Sequence, residues 1–197
     1  MQKPSGYDEA QTSQEFTPVT PGGHYCTIKQ VTEMQSSTGR DMVVVLLDFC
    51  KPDTQAGYFT AQYENDIREQ KKWPFPGTKY IMINDYNDQS KTSRQFKTFC
   101  TCFEKSNGCS IKWGTENWAQ QFKGKKIGAV YGEEENEYEG RTFMRTVAKW
   151  FCTVDAVKDA PVPQVKYLPN KPAEEKKPAE DPGWMNVPEG MEKEIPF

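Results

Sequence analysis

The sequence predicts a mainly β domain with one helical insert, followed by a long Pro-rich tail. Three observations carry this. Short apolar, β-rich segments bounded by turn signals recur before residue 64 and again after residue 124. Between them one stretch has a helical period, with Phe96, Phe99, Cys100 and Phe103 at i, i+3, i+4 and i+7. From Ala160 onward prolines punctuate a lysine- and glutamate-rich text that cannot bury enough apolar surface to offset chain entropy.

In order, residues 1–22 are polar and Pro-containing and read as a flexible lead-in. Residues 25–35 are a first strand, ended by the Ser36-Ser37-Thr38-Gly39 turn. Residues 42–50 are a second, with Val43, Val45, Leu47 and Phe49 on one face; Lys51-Pro52-Asp53 breaks it. Residues 57–63 read as a third strand, with Phe59, Ala61 and Tyr63 opposite Tyr58, Thr60 and Gln62. Residues 80–83 are a candidate extra strand. The helix is expected over 92–105, with Ser90, Thr92 or Ser93 as its cap and Asn107-Gly108 as its stop. Thr115 caps a second short helix carrying Trp118 and Phe122, which Gly124 ends. Residues 125–131 form a fourth strand, the glutamate-rich residues 132–140 a loop, and 141–154 a long fifth strand.

Three strands, a helical insert and a final two-stranded hairpin are the order of the OB-fold, a five-stranded barrel with a helix between strands 3 and 4. Its strand face and the loops joining strands 1–2 and 4–5 bind oligonucleotides or oligosaccharides. An SH3-like barrel or a small α+β sandwich shares much of the pattern. The expected organisation is a flexible segment over 1–22, the barrel over 23–157, and a disordered linker with a terminal tip over 158–197.

Composition narrows the function. The chain of 197 residues is 36% hydrophobic and 13% aromatic, enough for one core plus tails. No apolar run approaches a membrane span and no secretory leader is visible, so a cytoplasmic protein is expected. The net charge of −3 is uneven: both ends carry net −2 and residues 24–157 carry net +1. Five of the acids in that middle crowd one run, Glu133, Glu134, Glu135, Glu137 and Glu139. A mildly basic body with acidic ends is compatible with a polyanionic ligand. The six cysteines lack the paired spacing of a zinc site, and the one histidine, His24, is distant, so neither metal nor cofactor is expected. Phosphate-loop, zinc-protease and serine-hydrolase signatures are missing, and an enzyme is not expected.

Strand five is the sharpest candidate surface. Alternation puts Arg141, Phe143, Arg145, Val147, Lys149 and Phe151 on one face, and Thr142, Met144, Thr146, Ala148, Trp150, Cys152 and Val154 on the other, read as interior. Cations neutralise phosphates and aromatic faces stack on bases without regard to sequence, as a single-strand surface requires. Beside this strand, Lys125 and Lys126 are phosphate contacts, and Arg40 is a mobile cation in the first loop. Trp73 is either a stacking platform or a plug over the barrel, and Tyr58 is an outward residue of strand three. Trp113 and Trp118 are assigned to packing. The glutamate run opposes the idea if it faces the groove.

The body, through Pro21-Gly22-Gly23-His24-Tyr25, Ser37-Thr38-Gly39-Arg40-Asp41-Met42, Phe122-Lys123-Gly124-Lys125-Lys126 and the last strand, resembles phage- and prophage-encoded single-stranded-DNA-binding proteins. The ending Glu194-Ile195-Pro196-Phe197 resembles the tip with which bacterial-type single-stranded-DNA-binding proteins recruit partners, although Lys193 interrupts its acids. The resemblance implies sequence-tolerant DNA binding in replication or recombination in a bacterial host cell. It also implies recruitment of replication or recombination proteins by residues 194–197, through an apolar Phe197 anchor and an acidic approach. A homo-oligomer is compatible with the sequence. The alternative is an OB-like adaptor that binds protein and never touches nucleic acid.

Overall fold

The computed structural model describes Lys3 and residues 17–169. Its compact unit ends at Lys166; of the unit beginning at Tyr167, only residues 167–169 are described. Five strands form one antiparallel sheet: β1 (Gly22–Gln35), β2 (Asp41–Phe49), β3 (Thr78–Met82), β4 (Lys126–Tyr138) and β5 (Arg141–Cys152), in the spatial order β3-β2-β1-β4-β5. A short helix, α1 (Tyr58–Glu64), lies between β2 and β3, and a longer one, α2 (Arg94–Asn107), between β3 and β4.

The inward face of β2 is the one its alternation predicts: Val43, Val45, Leu47 and Phe49 are all buried. They meet Cys26, Ile28 and Val31 of β1, Ile81 of β3, Ile127, Ala129 and Tyr131 of β4, and Phe96, Phe99 and Phe103 of α2 in one core. The helix starts where the Ser93 hydroxyl accepts the Phe96 amide at 3.1 Å. It ends at Gly108, whose φ of 57° is left-handed.

Residues 57–63 are a helix rather than a third strand. Gly57 turns the chain with a left-handed φ of 80°, and the buried Asp48 carboxylate then accepts the Phe59 amide at 3.0 Å, the Thr60 amide at 3.4 Å and the Thr60 hydroxyl. A carboxylate reaching in from β2 thus supplies the cap that the local sequence lacks. The third strand is the segment the sequence marks only as a candidate extra strand.

The glutamate run is likewise no loop. β4 continues to Tyr138 and pairs with β5 up to Tyr138↔Arg141, so only Glu139 and Gly140 turn, with φ of 51° and 74°. Two consecutive positive φ angles make the twisted two-residue turn that suits a hairpin. Among the described residues the tip of this arm carries no third strand on either side, but β4 has a second neighbour at its middle. The Lys166 amide donates to the Glu133 carbonyl at 3.1 Å, and the Glu135 amide donates to the Lys166 carbonyl at 2.8 Å. The segment read as the start of the linker therefore packs on the body up to Lys166. Residues 17–21 do so at the other end, where Val19 is buried and Gln55 donates to the Pro18 carbonyl.

The sheet is open. β3 and β5, its two edges, share no ladder, but the Lys79 ammonium of β3 donates to the Ala148 and Lys149 carbonyls of β5 at 2.7 and 3.1 Å. Those carbonyls flank a β-bulge, where Tyr131 pairs with Ala148, Val130 with Trp150, and Lys149 is left over. The bulge also corrects the simple alternation of strand five. Ala148 and Phe151 both face the core, and Trp150, expected inside, is exposed.

Candidate nucleic-acid interface

Residues directly opposite in an antiparallel ladder share a face. The β4–β5 arm is therefore sorted by its register. One face carries Glu134 beside Arg145, Asn136 beside Phe143, and Tyr138 beside Arg141. The other carries Glu133 beside Thr146, Glu135 beside Met144, and Glu137 beside Thr142. Three glutamates thus stand on the side away from the cations, and Glu134 stands among them. On the cation face Tyr138 is 68% exposed and Phe143 45%.

Glu134 ties that face together. Its carboxylate accepts from Arg145 Nε and Nη2 at 3.0 and 2.8 Å and from Lys149 Nζ at 2.7 Å. Burial pushes its pKa up, but the hydrogen bonds from Lys149, Arg145 and Asn136 outweigh this and bring it down to about 2. The Arg145 guanidinium also lies 4.4 Å from the centre of the Phe75 ring.

Opposite the arm stands a surface without charge. The rows Thr32–Val44–Tyr80 and Gln30–Leu46–Thr78 cross β1, β2 and β3 on the face away from the core. Tyr80 and Phe75 are each 49% exposed. A cleft of about 200 Å³ joins the two surfaces, lined by Phe75, Thr78, Tyr80 and the Lys79 side chain on one side and by Glu134, Val147 and Lys149 on the other. Tyr80 was not singled out in the sequence. Its signal was its alternation with Lys79 and Ile81, which is legible only once residues 78–82 are known to be a strand.

No family model matches this chain, and no curated protein matches it.

Of the residues proposed from sequence, Arg141, Phe143, Arg145 and Lys149 come together on the arm. The others do not join them as expected. Arg40 is no mobile cation: its Nη2 donates to the Asn84 and Asp85 carbonyls at 3.0 and 2.9 Å, and its guanidinium lies 5.2 Å from the Tyr86 ring centre. Tyr58 opens α1 rather than facing outward from a strand; its hydroxyl donates to the Thr17 carbonyl at 2.8 Å and its ring meets Phe49 and Phe59. Trp73 is the plug. Its indole N–H donates to the Leu47 carbonyl at 3.1 Å, and its ring seats so close to Gly77 that a Cβ there would come within 2.7 Å of Nε1. Lys125 and Lys126 are exposed where β4 begins, near the turn that ends α2, since Lys126 exchanges backbone hydrogen bonds with the Asn107 side chain. Glu194, Ile195, Pro196 and Phe197 lie outside the described residues.

Trp113, assigned to packing, is more than half exposed and stacks on Trp118 at 5.9 Å. A Thr20–His24–Asp53 series superficially resembles a hydrolytic relay. His24 Nδ1 lies 3.0 Å from Asp53, but Nε2 lies 2.7 Å from Thr20's own carbonyl and 3.4 Å from its hydroxyl. The ring is stacked on Phe49 and buried, so the group fastens the chain entering β1. The cysteines are free thiols; burial pushes Cys100 up to about 12 and Cys152 to about 11, which disfavours the thiolate at both. Among the described residues no group of three His, Cys, Asp or Glu gathers as a metal site, and no helix is long and apolar enough to cross a membrane.

Proposed function

We propose that this chain binds single-stranded DNA with little regard to sequence, in replication or recombination, on the surface formed by the cation face of the β4–β5 arm and the uncharged face of β2–β3. The observation that carries the reading is a set of exposed aromatics beside cations: Phe75 and Tyr80 share a cleft with Lys149, Arg145 lies over the Phe75 ring, and Tyr138 and Phe143 stand with Arg141 and Arg145 on one face of the arm. Aromatic faces hold bases, cations hold phosphates, and neither selects a sequence. The strand order β3-β2-β1-β4-β5, with α2 between β3 and β4, supports an OB-type, partly open barrel as the scaffold. Residues 194–197 recruit a replication or recombination protein on this reading, and the chemistry of the surface is binding without catalysis.

The test is a titration of fluorescein-labelled oligo-dT with the full chain at low and at raised salt. Micromolar binding that weakens steeply with salt is expected. Absence of binding at low salt overturns the proposal.

A second reading has its own observation. Glu134 already neutralises part of the Arg145–Lys149 charge, and Glu133, Glu135 and Glu137 line the back of the arm. Such an arm suits a basic protein partner, as an adaptor would have. The same titration separates the two.

A further inference from the structure

The arm holds a carboxylate where a polyanion binder would be expected to keep open positive charge. Three features define its place. The donors converge: Arg145 presents two N–H groups and Lys149 a third, all within 3.0 Å of the two carboxylate oxygens. Asn136 Nδ2 approaches the same Oε1 at 3.4 Å. The backbone beneath is fixed on both sides, by the ladder to Arg145 and by the Lys166 pairing at Glu133 and Glu135. The side chain is the part left able to move. Finally, Glu134 and Lys149 line the cleft that Tyr80 and Phe75 face, so the site opens onto the surface where a strand would lie.

A forked guanidinium and an ammonium aimed at one point suit a tetrahedral oxyanion as well as a carboxylate. We infer that the place held by the Glu134 carboxylate is a backbone-phosphate subsite, built by Arg145, Lys149 and Asn136 and filled by Glu134 when the strand is absent. The inference rests on the single-strand reading above. On binding, a phosphate takes the three donors and the Glu134 side chain rotates away from the cleft. No backbone rearrangement is required. The carboxylate then acts as a built-in competitor that lowers affinity and penalises anions too weak to displace it.

The test compares wild type, Glu134→Gln and Glu134→Gln/Arg145→Gln in titrations with labelled oligo-dT and with an abasic sugar-phosphate oligomer of equal length. Thermal unfolding of each variant checks the fold. Glu134→Gln should bind oligo-dT about tenfold tighter at low salt, since the competitor's charge is gone and both cations are freed. It should gain by a similar factor on the abasic oligomer, because the subsite takes phosphate rather than base. Adding Arg145→Gln should abolish the gain. If wild type binds oligo-dT and folded Glu134→Gln binds no tighter, the subsite is wrong while the binding reading stands. If no form binds either oligomer, the binding reading itself falls. Should Glu134→Gln fail to fold, the side-chain carboxyl carbon of Glu134 in the wild type decides by NMR. Its signal should move on adding oligo-dT, and an unchanged signal at saturation would overturn the subsite.

Discussion

Lys79 and Ala148 sit on opposite edges of the sheet, and the Lys79 ammonium donates to the Ala148 carbonyl at 2.7 Å. One side chain thus spans the gap where a ladder between β3 and β5 would close a barrel. Burial, with the nearby charge of Lys149, lowers the Lys79 pKa, whereas Glu134 works against this. Lys79→Met keeps the apolar stem and removes the donor. It should cost about 1–3 kcal/mol by leaving two carbonyls without their partner. Amide hydrogen exchange should accelerate most around residues 146–150. Unchanged exchange there would show that the bridge does not hold the edges.

Asp48 is buried and caps α1 from a neighbouring strand. Asp48→Ala strips the acceptor from the Phe59 and Thr60 amides. A loss of about 1–3 kcal/mol is expected in urea unfolding, with the helical signal of residues 58–64 lost before the sheet melts.

The hydroxyl of Tyr131 is buried with no hydrogen-bond partner among the described residues, while its ring packs edge-on against His24 and Phe49. Tyr131→Phe retains the ring and deletes the orphaned group. Its melting temperature should equal or exceed that of the wild type, whereas a marked fall would reveal a partner for the hydroxyl.

The turn of the arm asks a glutamate to adopt a φ of 51°. Asn-Gly is the favoured pair for such a turn, so Glu139→Asn should stabilise the hairpin by about 0.5–1 kcal/mol. Gly140→Ala should destabilise it. Cross-strand NMR contacts between Tyr138 and Arg141 report both.

Acid should act through Glu134. Its folded pKa of about 2 lies below the ordinary value of 4.5, so the folded state holds the charged form more strongly. The stability this provides is present in full above pH 4.5 and is lost as pH falls from there towards 2. Glu134→Gln should flatten the acid limb of a stability profile in that window.

These features also show what the sequence could and could not reveal. The inward faces of β2 and α2 follow from period, and the Ser93 cap and Gly108 stop from local chemistry. What escaped was set by partners outside the segment being read. Residues 57–63 alternate like a strand, yet the Asp48 carboxylate decides for a helix. Glu133 to Tyr138 read as a solvated loop, yet pairing with β5 overrides their low strand preference. The bulge at Lys149 left no local mark, and it reverses the expected sides of Trp150 and Phe151. For the candidate surface, alternation along strand five identified Arg141, Phe143, Arg145 and Lys149. It could not show that Arg40 and Trp73 donate to backbone carbonyls, nor that Tyr80 lines a cleft with Lys149.

The most direct test of the central claim uses the two aromatics on the arm that project furthest into solvent. Tyr138→Ala/Phe143→Ala removes both rings and should leave the core intact, since both are exposed. Its affinity for labelled oligo-dT, measured beside the wild type at one fixed salt concentration, should fall by about 1–3 kcal/mol for each ring that stacks on a base. Wild-type affinity in a folded double variant would contradict the account and move any DNA contact off the β4–β5 arm.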